Sequence, residues 1–236
     1  MKLLKKLFKL IFCIVFIPLI IVATIITIQG YSLYKDVTNN ISIENKVQEI
    51  KSSKDYIILS DIPDGIKNGT VAIEDHRFYN HKGFDIISTS RAVITNLSNK
   101  KLVSGGSTIT QQLAKNMYFS QSKKFSRKIA ELIVAYELEK KYSKEDILEL
   151  YLNVIYYGDG HTGVKNASLG YFNKSPKELS LYEQTLLVAL PNAPSVYALS
   201  EKNSYTYTRQ KYVIQAMLKY NYLSQDEANY VLNKKE

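Results

Sequence analysis

A carboxylate set among apolar neighbours is the first feature of this sequence that could do chemistry. In the stretch 125–142, Ile129, Leu132, Ile133 and Tyr136 share one face of a helical wheel. Ala130, Val134, Ala135 and Leu138 cover most of the opposite face, so the helix is apolar nearly all round, as buried helices are. Glu131 falls on that second side. A carboxylate there must be paired or carry a perturbed pKa. Arg127 and Lys128, four and three residues earlier, lie within reach on a helix. From this helix alone two readings stay open: an ion pair that only fixes packing, or a charge kept for function.

Two further stretches carry polar chemistry. In Ser104-Gly105-Gly106-Ser107-Thr108-Ile109-Thr110-Gln111-Gln112-Leu113-Ala114-Lys115-Asn116 the glycines permit a tight turn, and Ser107 is placed to cap a new helix. On that helix Ile109, Leu113 and Met117 form an apolar stripe. Thr108, Gln111, Gln112 and Lys115 gather opposite, which suits either plain solvation or a diphosphate held at a helix N-terminus. The segment Ile73-Glu74-Asp75-His76-Arg77-Phe78-Tyr79-Asn80-His81-Lys82-Gly83-Phe84 alternates acidic, basic and aromatic residues. Its two histidines are five apart, not the four that a helical zinc pair needs, so His81 reads as a hydrogen-bonded packing residue.

The elements that must position these groups are helical. Ser143-x-x-Asp146, Ser175-Pro-x-Glu178, Ser180-x-x-Glu183 and Ser224-x-x-Glu227 each place a capping hydroxyl three residues before a carboxylate. Pro191 and Pro194 stop the helix that begins at Ser180. Gly158, Gly160 and Gly163 mark a loop, and alternation of period two is missing. The pattern predicts a mainly α domain with about eight helices between 70 and 234.

Ahead of it, Lys2, Lys5, Lys6 and Lys9 form a basic head, and residues 10–28 run without a charge. A bilayer core takes about 20 apolar residues as helix, and Pro18 is tolerated in such a span. A cleaved signal peptide is the alternative, but Thr27-Ile28-Gln29-Gly30 is a poor cleavage site. The expected division is a cytoplasmic head at 1–9, a single-pass anchor at 10–30, a stalk at 31–68 and an extracytoplasmic domain at 69–236. The net charge of +9 stays positive once the four head lysines are set aside, which suits anionic headgroups or a phosphate-bearing substrate. No Cys/His finger or basic zipper points to nucleic acid. The single cysteine, Cys13, lies in the anchor, so the outer domain must be held by its core alone.

The polar stretches together carry a resemblance. Glu74-Asp75-x-x-Phe78-x-x-His81-x-Gly83 resembles the first signature of the family 51 peptidoglycan glycosyltransferases. Gly105-Gly106-Ser107-Thr108-Ile109-x-Gln111-Gln112 with Lys115-Asn116 resembles the second, and Arg127-Lys128-x-x-Glu131 the third. Ile147-Leu148-Glu149-x-Tyr151-Leu152-Asn153 resembles the fourth, and 163–174 the fifth. Leu179-Ser180-Leu181-x-Glu183 and Ala189-Leu190-Pro191-Asn192-Ala193-Pro194-Ser195 continue it, in order, over roughly 70–200. Asn173 stands where the family tends to have Gly, and Ser168 where it often has Ala. With no Ser-x-x-Lys after the matched region, the chain resembles the monofunctional members rather than bifunctional penicillin-binding proteins.

The resemblance implies a lysozyme-like, multi-helix fold behind one transmembrane helix. It implies an activity that polymerises lipid II into β-1,4-linked strands with inversion, releasing undecaprenyl pyrophosphate. Glu74 would be the general base and Glu131 the second catalytic carboxylate, on the pyrophosphate side. Asp75, Arg91, Ser107, Thr108, Gln111, Gln112, Lys115, Asn116, Arg127, Lys128 and Lys140 would bind substrate. A pyrophosphate leaves without protonation if its charge is stabilised, so one base and a set of cations suffice, where a glycosidase needs two carboxylates. A magnesium or manganese ion at the pyrophosphate is an expectation of the same kind. Expected partners are lipid II, the growing strand, the bacterial cell membrane and other wall-building proteins, with no nucleic acid. A lytic glycosidase acting on peptidoglycan is the chief rival, and an idle scaffold a second.

Overall fold

The computed structural model describes residues 2–99, 105–119, 124–201 and 204–234. Its helices run in chain order α1 (Lys2–Asn40), α2 (Ile43–Lys51), α3 (Asp64–Glu74), α4 (Ile86–Asn99), α5 (Ile109–Tyr118) and α6 (Phe125–Lys141). After these come α7 (Lys144–Val154), α8 (Val164–Phe172), α9 (Leu181–Ala189), α10 (Pro194–Tyr197), α11 (Ser204–Lys219) and α12 (Gln225–Asn233). Among the described residues the only β feature is an isolated bridge between Tyr156 and Thr162. The mainly α class is therefore as expected, with nine helices beginning after residue 70 among the described residues.

The local signals are where capping chemistry puts them. Ser143, Ser175, Ser180 and Ser224 each form a reciprocal capping box with Asp146, Glu178, Glu183 and Glu227. Helix α9 ends at Ala189, and a 3-10 turn containing Pro191 follows. Gly158, Gly160 and Gly163 all have positive φ, as their loop requires. The two departures from the family pattern also resolve. Asn173 caps α8 in the left-handed region at φ 53°, where Asn is the usual substitute for Gly. Ser168 is fully buried, and its hydroxyl donates to the Lys174 carbonyl at 2.6 Å, closing the same turn.

One cap is corrected. Thr108, not Ser107, is the N-cap of α5, its hydroxyl accepting from the Gln111 amide at 3.1 Å. The Ser107 hydroxyl is instead engaged by Lys128 Nζ at 2.8 Å.

The stalk is corrected too. Helix α1 continues unbroken to Asn40. Ile43, Val47, Ile62 and Ile66 then join the main core beside Phe78, Leu113 and Leu138. Residues from Ile43 onward thus belong to the domain, since α2 buries an apolar face against α7. Single apolar residues in a polar stretch gave too little periodicity to reveal this. A smaller core of Tyr182, Leu186, Ile214, Ala228 and Val231 holds the C-terminal helices.

The part of α1 from Phe12 is long and apolar enough to cross a membrane, with mean hydropathy 2.6 over its most apolar 18 residues, none of them buried. Its C-terminal half packs along α6. Gly30 makes that approach possible: a Cβ there would lie 2.5 Å from Ile129 Cβ and 2.8 Å from the Ser126 carbonyl oxygen. Helix α6 therefore lies between α1 and α5, which accounts for its being apolar nearly all round.

Replacing Gly30 with Leu should push α1 off α6 and destabilise the fold by about 1–3 kcal/mol. The melting temperature of the full chain in detergent would fall, and an unchanged value would show that α1 does not depend on this contact.

Candidate active site

Glu74 is the last residue of α3. The chain leaves the helix there because Asp75 takes an extended φ of −157° and turns inward. The Asp75 carboxylate, 5% exposed as a residue, meets His81 Nε2 at 2.9 Å and accepts from the Ile109 amide at 3.1 Å. That amide is the first of α5, where an anion is favoured by the helix dipole. Thr108 adds a second tie by donating to the Gly83 carbonyl at 2.8 Å. Gly83, at φ +76°, packs so closely on α6 that a Cβ would come within 3.0 Å of the Ala135 carbonyl oxygen. The segment after Glu74 is thus fastened to α5 and α6.

This places Glu74 over the side of α5. Its carboxylate accepts from Gln112 Nε2 at 2.9 Å and lies 3.5 Å from Arg209 Nη2. Gln112 is itself held by the Tyr151 hydroxyl, which donates to its Oε1 at 3.2 Å. Burial, with Glu74 nearby, raises Tyr151 well above the ordinary phenol range, so it remains a donor.

A polar cleft of about 420 Å³ joins Glu74 to Gln111, Gln112, Lys115, Lys128 and Glu131. Glu131 is 2% exposed. Its oxygens lie 3.1 Å from Arg127 Nη1 and 3.2 Å from Lys128 Nζ. The pairing inferred from helical spacing is therefore present, and it opens onto the cleft. Lys115 is half-buried. Burial pushes its ammonium below the ordinary lysine value of 10.5, opposed by Glu131 and assisted by Arg127 and Lys128. Gln111 is 1% exposed, and its side-chain amide has no partner among the described residues although it lines the cleft. It is buried where a solvated helix face was one reading.

A second hollow of about 320 Å³ lies on the other side of Glu74. His76, Arg91, Gly106, Lys219 and Tyr220 line it with Glu74. Gly106 crosses α4 closely, and its carbonyl accepts from the Thr89 hydroxyl at 3.0 Å. Glu74 is thus shared by a cation-rich cleft and a smaller basic hollow, as a base between a leaving anion and an incoming nucleophile would be.

The expected site residues divide accordingly. Glu74, Ser107, Gln111, Gln112, Lys115, Lys128 and Glu131 meet at the cleft, Arg127 stands behind Glu131, and Arg91 lines the hollow. Asp75 and Thr108 border the hollow, but their polar atoms are spent on fastening the segment to α5. Two assignments are corrected. Asn116 is exposed on the far flank of α5, bonded to the Gln112 carbonyl at 2.9 Å and lining a separate hollow with Lys46 and Asn153. Lys140 is exposed more than two helical turns from Glu131, 3.2 Å from Glu137 and over the Tyr136 ring. Arg209 was not foreseen. It stands in a tyrosine-rich stretch beyond the recognised motifs, and only the packing of α11 on α3 brings it to Glu74.

Comparison with known proteins shows the family. A family model described as Transglycosylase matches residues 41–218. The monofunctional glycosyltransferase of Staphylococcus epidermidis is 37% identical over 188 residues, covering 77% of this chain and 70% of that one. Penicillin-binding protein 4 of Bacillus subtilis is 42% identical over 72% of this chain and 28% of its own length. Penicillin-binding protein 1A of Neisseria lactamica is 40% identical over 77% of this chain and 23% of its own. The chain thus spans only about a quarter of the penicillin-binding proteins it matches. A match that begins at residue 41, just where α1 gives way to the core, together with the monofunctional relative, places this chain in the transglycosylase family, the family 51 peptidoglycan glycosyltransferases.

Proposed function

We propose that the protein polymerises lipid II into β-1,4-linked peptidoglycan strands, with inversion at the donor sugar. The observation that carries this reading is that Glu74 shares one cleft with Lys115, Lys128 and Glu131. Glu74 takes the proton from the 4-hydroxyl of the acceptor N-acetylglucosamine. That oxygen bonds to the anomeric carbon of the donor N-acetylmuramic acid from the face opposite the leaving group. The bond from that carbon to the pyrophosphate oxygen breaks, and undecaprenyl pyrophosphate departs with the electron pair. Lys115, Arg127 and Lys128 take up its charge, and Glu131 keeps those cations from repelling one another apart. Gln112, fixed by Tyr151, aims the Glu74 carboxylate, and Arg91 faces the acceptor.

The expected magnesium or manganese ion would be held by the diphosphate oxygens. Of the two carboxylates that line the cleft, Glu74 is assigned as the base and Glu131 is already shared by Arg127 and Lys128. Among the described residues no group of three or more His, Cys, Asp or Glu could hold a metal. This set suits an ion that arrives with substrate and not a resident one.

The substrate's polyprenyl tail keeps it in the bilayer, so an anchored enzyme meets it at high effective concentration. Helix α1 is assigned as the single-pass anchor, with the domain on the outer face of the bacterial membrane. Ile86, Ile87, Val93, Ile94 and Leu97 expose an apolar face on α4. This face is assigned to the membrane interface, where such patches find cover. Leu102 and Val103, the next apolar residues along the chain, lie outside the described residues. Other wall-building proteins remain proposed partners. A lytic glycosidase with Glu74 as its acid would have no use for the cations gathered around Glu131.

With lipid II as substrate, Glu74→Gln should lower kcat by about 10²–10⁴-fold. Near-normal polymer formation by that variant would remove Glu74 as the base, and cleavage of preformed glycan by the intact protein would favour the lytic reading. Replacing Lys115 with Gln should reduce kcat more than it raises KM. The depressed ammonium loses its charge as pH rises through a value below 10.5, so kcat should fall on that alkaline side. Lys115→Arg, which does not titrate there, should move the fall to higher pH.

A further inference from the structure

The hollow beside Glu74 contains a histidine that the reaction above does not use. His76 lies flat against Tyr220, with ring centroids 4.6 Å apart and planes inclined by 14°. Arg91 Nη1 lies 3.4 Å from His76 Nε2. A guanidinium can only donate, so Nε2 must present its lone pair and the ring proton must sit on Nδ1. This is the sole hydrogen bond of the Arg91 side chain among the described residues, and that side chain is otherwise exposed. A long exposed arginine samples many rotamers, and fixing one before substrate arrives lowers the cost of binding.

We infer that His76, held by Tyr220, positions the Arg91 guanidinium in the hollow for the anionic part of the incoming lipid-linked substrate, and that a proton gained by His76 releases it. The inference rests on the glycosyltransferase reading and names His76 as a positioning residue within it. The surrounding charges support this pairing. On its own segment His76 is flanked by Glu74, Asp75 and Arg77; Asp85 and Arg91 face it from the α4 side, and Lys219 and Tyr220 from the end of α11. The acids are engaged elsewhere: Glu74 by Gln112, Asp75 by His81, and Asp85 by Arg77 at 2.9 Å. Among the described residues no carboxylate is hydrogen-bonded to the His76 ring, and those nearby act on it only at a distance. Burial first, and Arg91 second, hold His76 below the ordinary value of 6.5, against the pull of Asp75 and Asp85. The ring is therefore a neutral acceptor at neutral pH. As pH falls through its depressed value it loses that lone pair and places a like charge beside Arg91.

The test follows KM and kcat for lipid II between about pH 5.5 and pH 7.5. It uses the full chain in detergent, as wild type, His76→Gln and His76→Leu. In the wild type KM should rise about 3–10-fold toward the acid end as the hydrogen bond is lost. Gln carries a non-titrating acceptor oxygen near the position of Nε2, so His76→Gln should flatten that rise. Leu has no acceptor, so His76→Leu should raise KM by a similar factor at the neutral end with kcat changed less than about twofold. A packing role alone would lower the melting temperature of both variants and leave the KM profile as in the wild type. The inference is overturned if His76→Gln keeps the wild-type rise, or if His76→Leu lowers kcat and leaves KM alone. Should the wild type form no polymer at any pH, the glycosyltransferase reading fails and this inference with it. Polymer formation that needs Glu74 but ignores His76 overturns only the inference.

Discussion

The arrangement depends on one buried carboxylate that does not line the cleft shared by Glu74 and Glu131. Asp75 binds His81 on one side and the first amide of α5 on the other. It thereby joins the end of α3 to the start of α5, and Glu74 is the residue immediately before it. A carboxylate buried to this degree is tolerated only with such partners, and removal of a partner typically costs about 3–5 kcal/mol. The same interaction that stabilises the corner sets the reach of Glu74 over Gln112. Stability and catalytic geometry are thus carried by a single set of hydrogen bonds.

On the far side of Glu74 the problem is the reverse: too many positive charges for their surroundings. Lys115, Arg127 and Lys128 face one region from two helices, and Lys115 is partly desolvated. Glu131 is the counterweight that lets them coexist. In the proposed reaction a diphosphate entering the cleft would replace missing solvent and relieve that repulsion, whereas the neutral sugar would do neither. The energy gained therefore grows as charge develops on the departing oxygen. On that proposal the electrostatic bias would favour bond breaking over mere retention of substrate.

Some of this was legible in the sequence, and the division has a physical basis. Capping boxes, the αL position at Asn173 and the Glu131 pairing depend on residues three or four apart, so spacing reveals them. The family motifs located Glu74 and the cation set. The roles of Asp75, Arg209 and Tyr151 depend on contacts between residues far apart in the chain, which periodicity does not encode. Lys140 and Asn116 show the converse error. Each has the right residue type near a motif, but α6 and α5 turn them away from the cleft. The segment after α1 was misjudged because Ile43, Val47 and Ile62 are too sparse to show a period, yet each is buried.

The absence of a break in α1 means that the apolar span and the catalytic domain have a fixed rotational phase. A helix advances about 1.5 Å and turns about 100° per residue. One residue inserted before Gly30 would leave the contact with α6 intact while swinging the span's faces around by that angle. The apolar span is therefore geared to the cleft, and the number of residues between them sets both their separation and their angular offset.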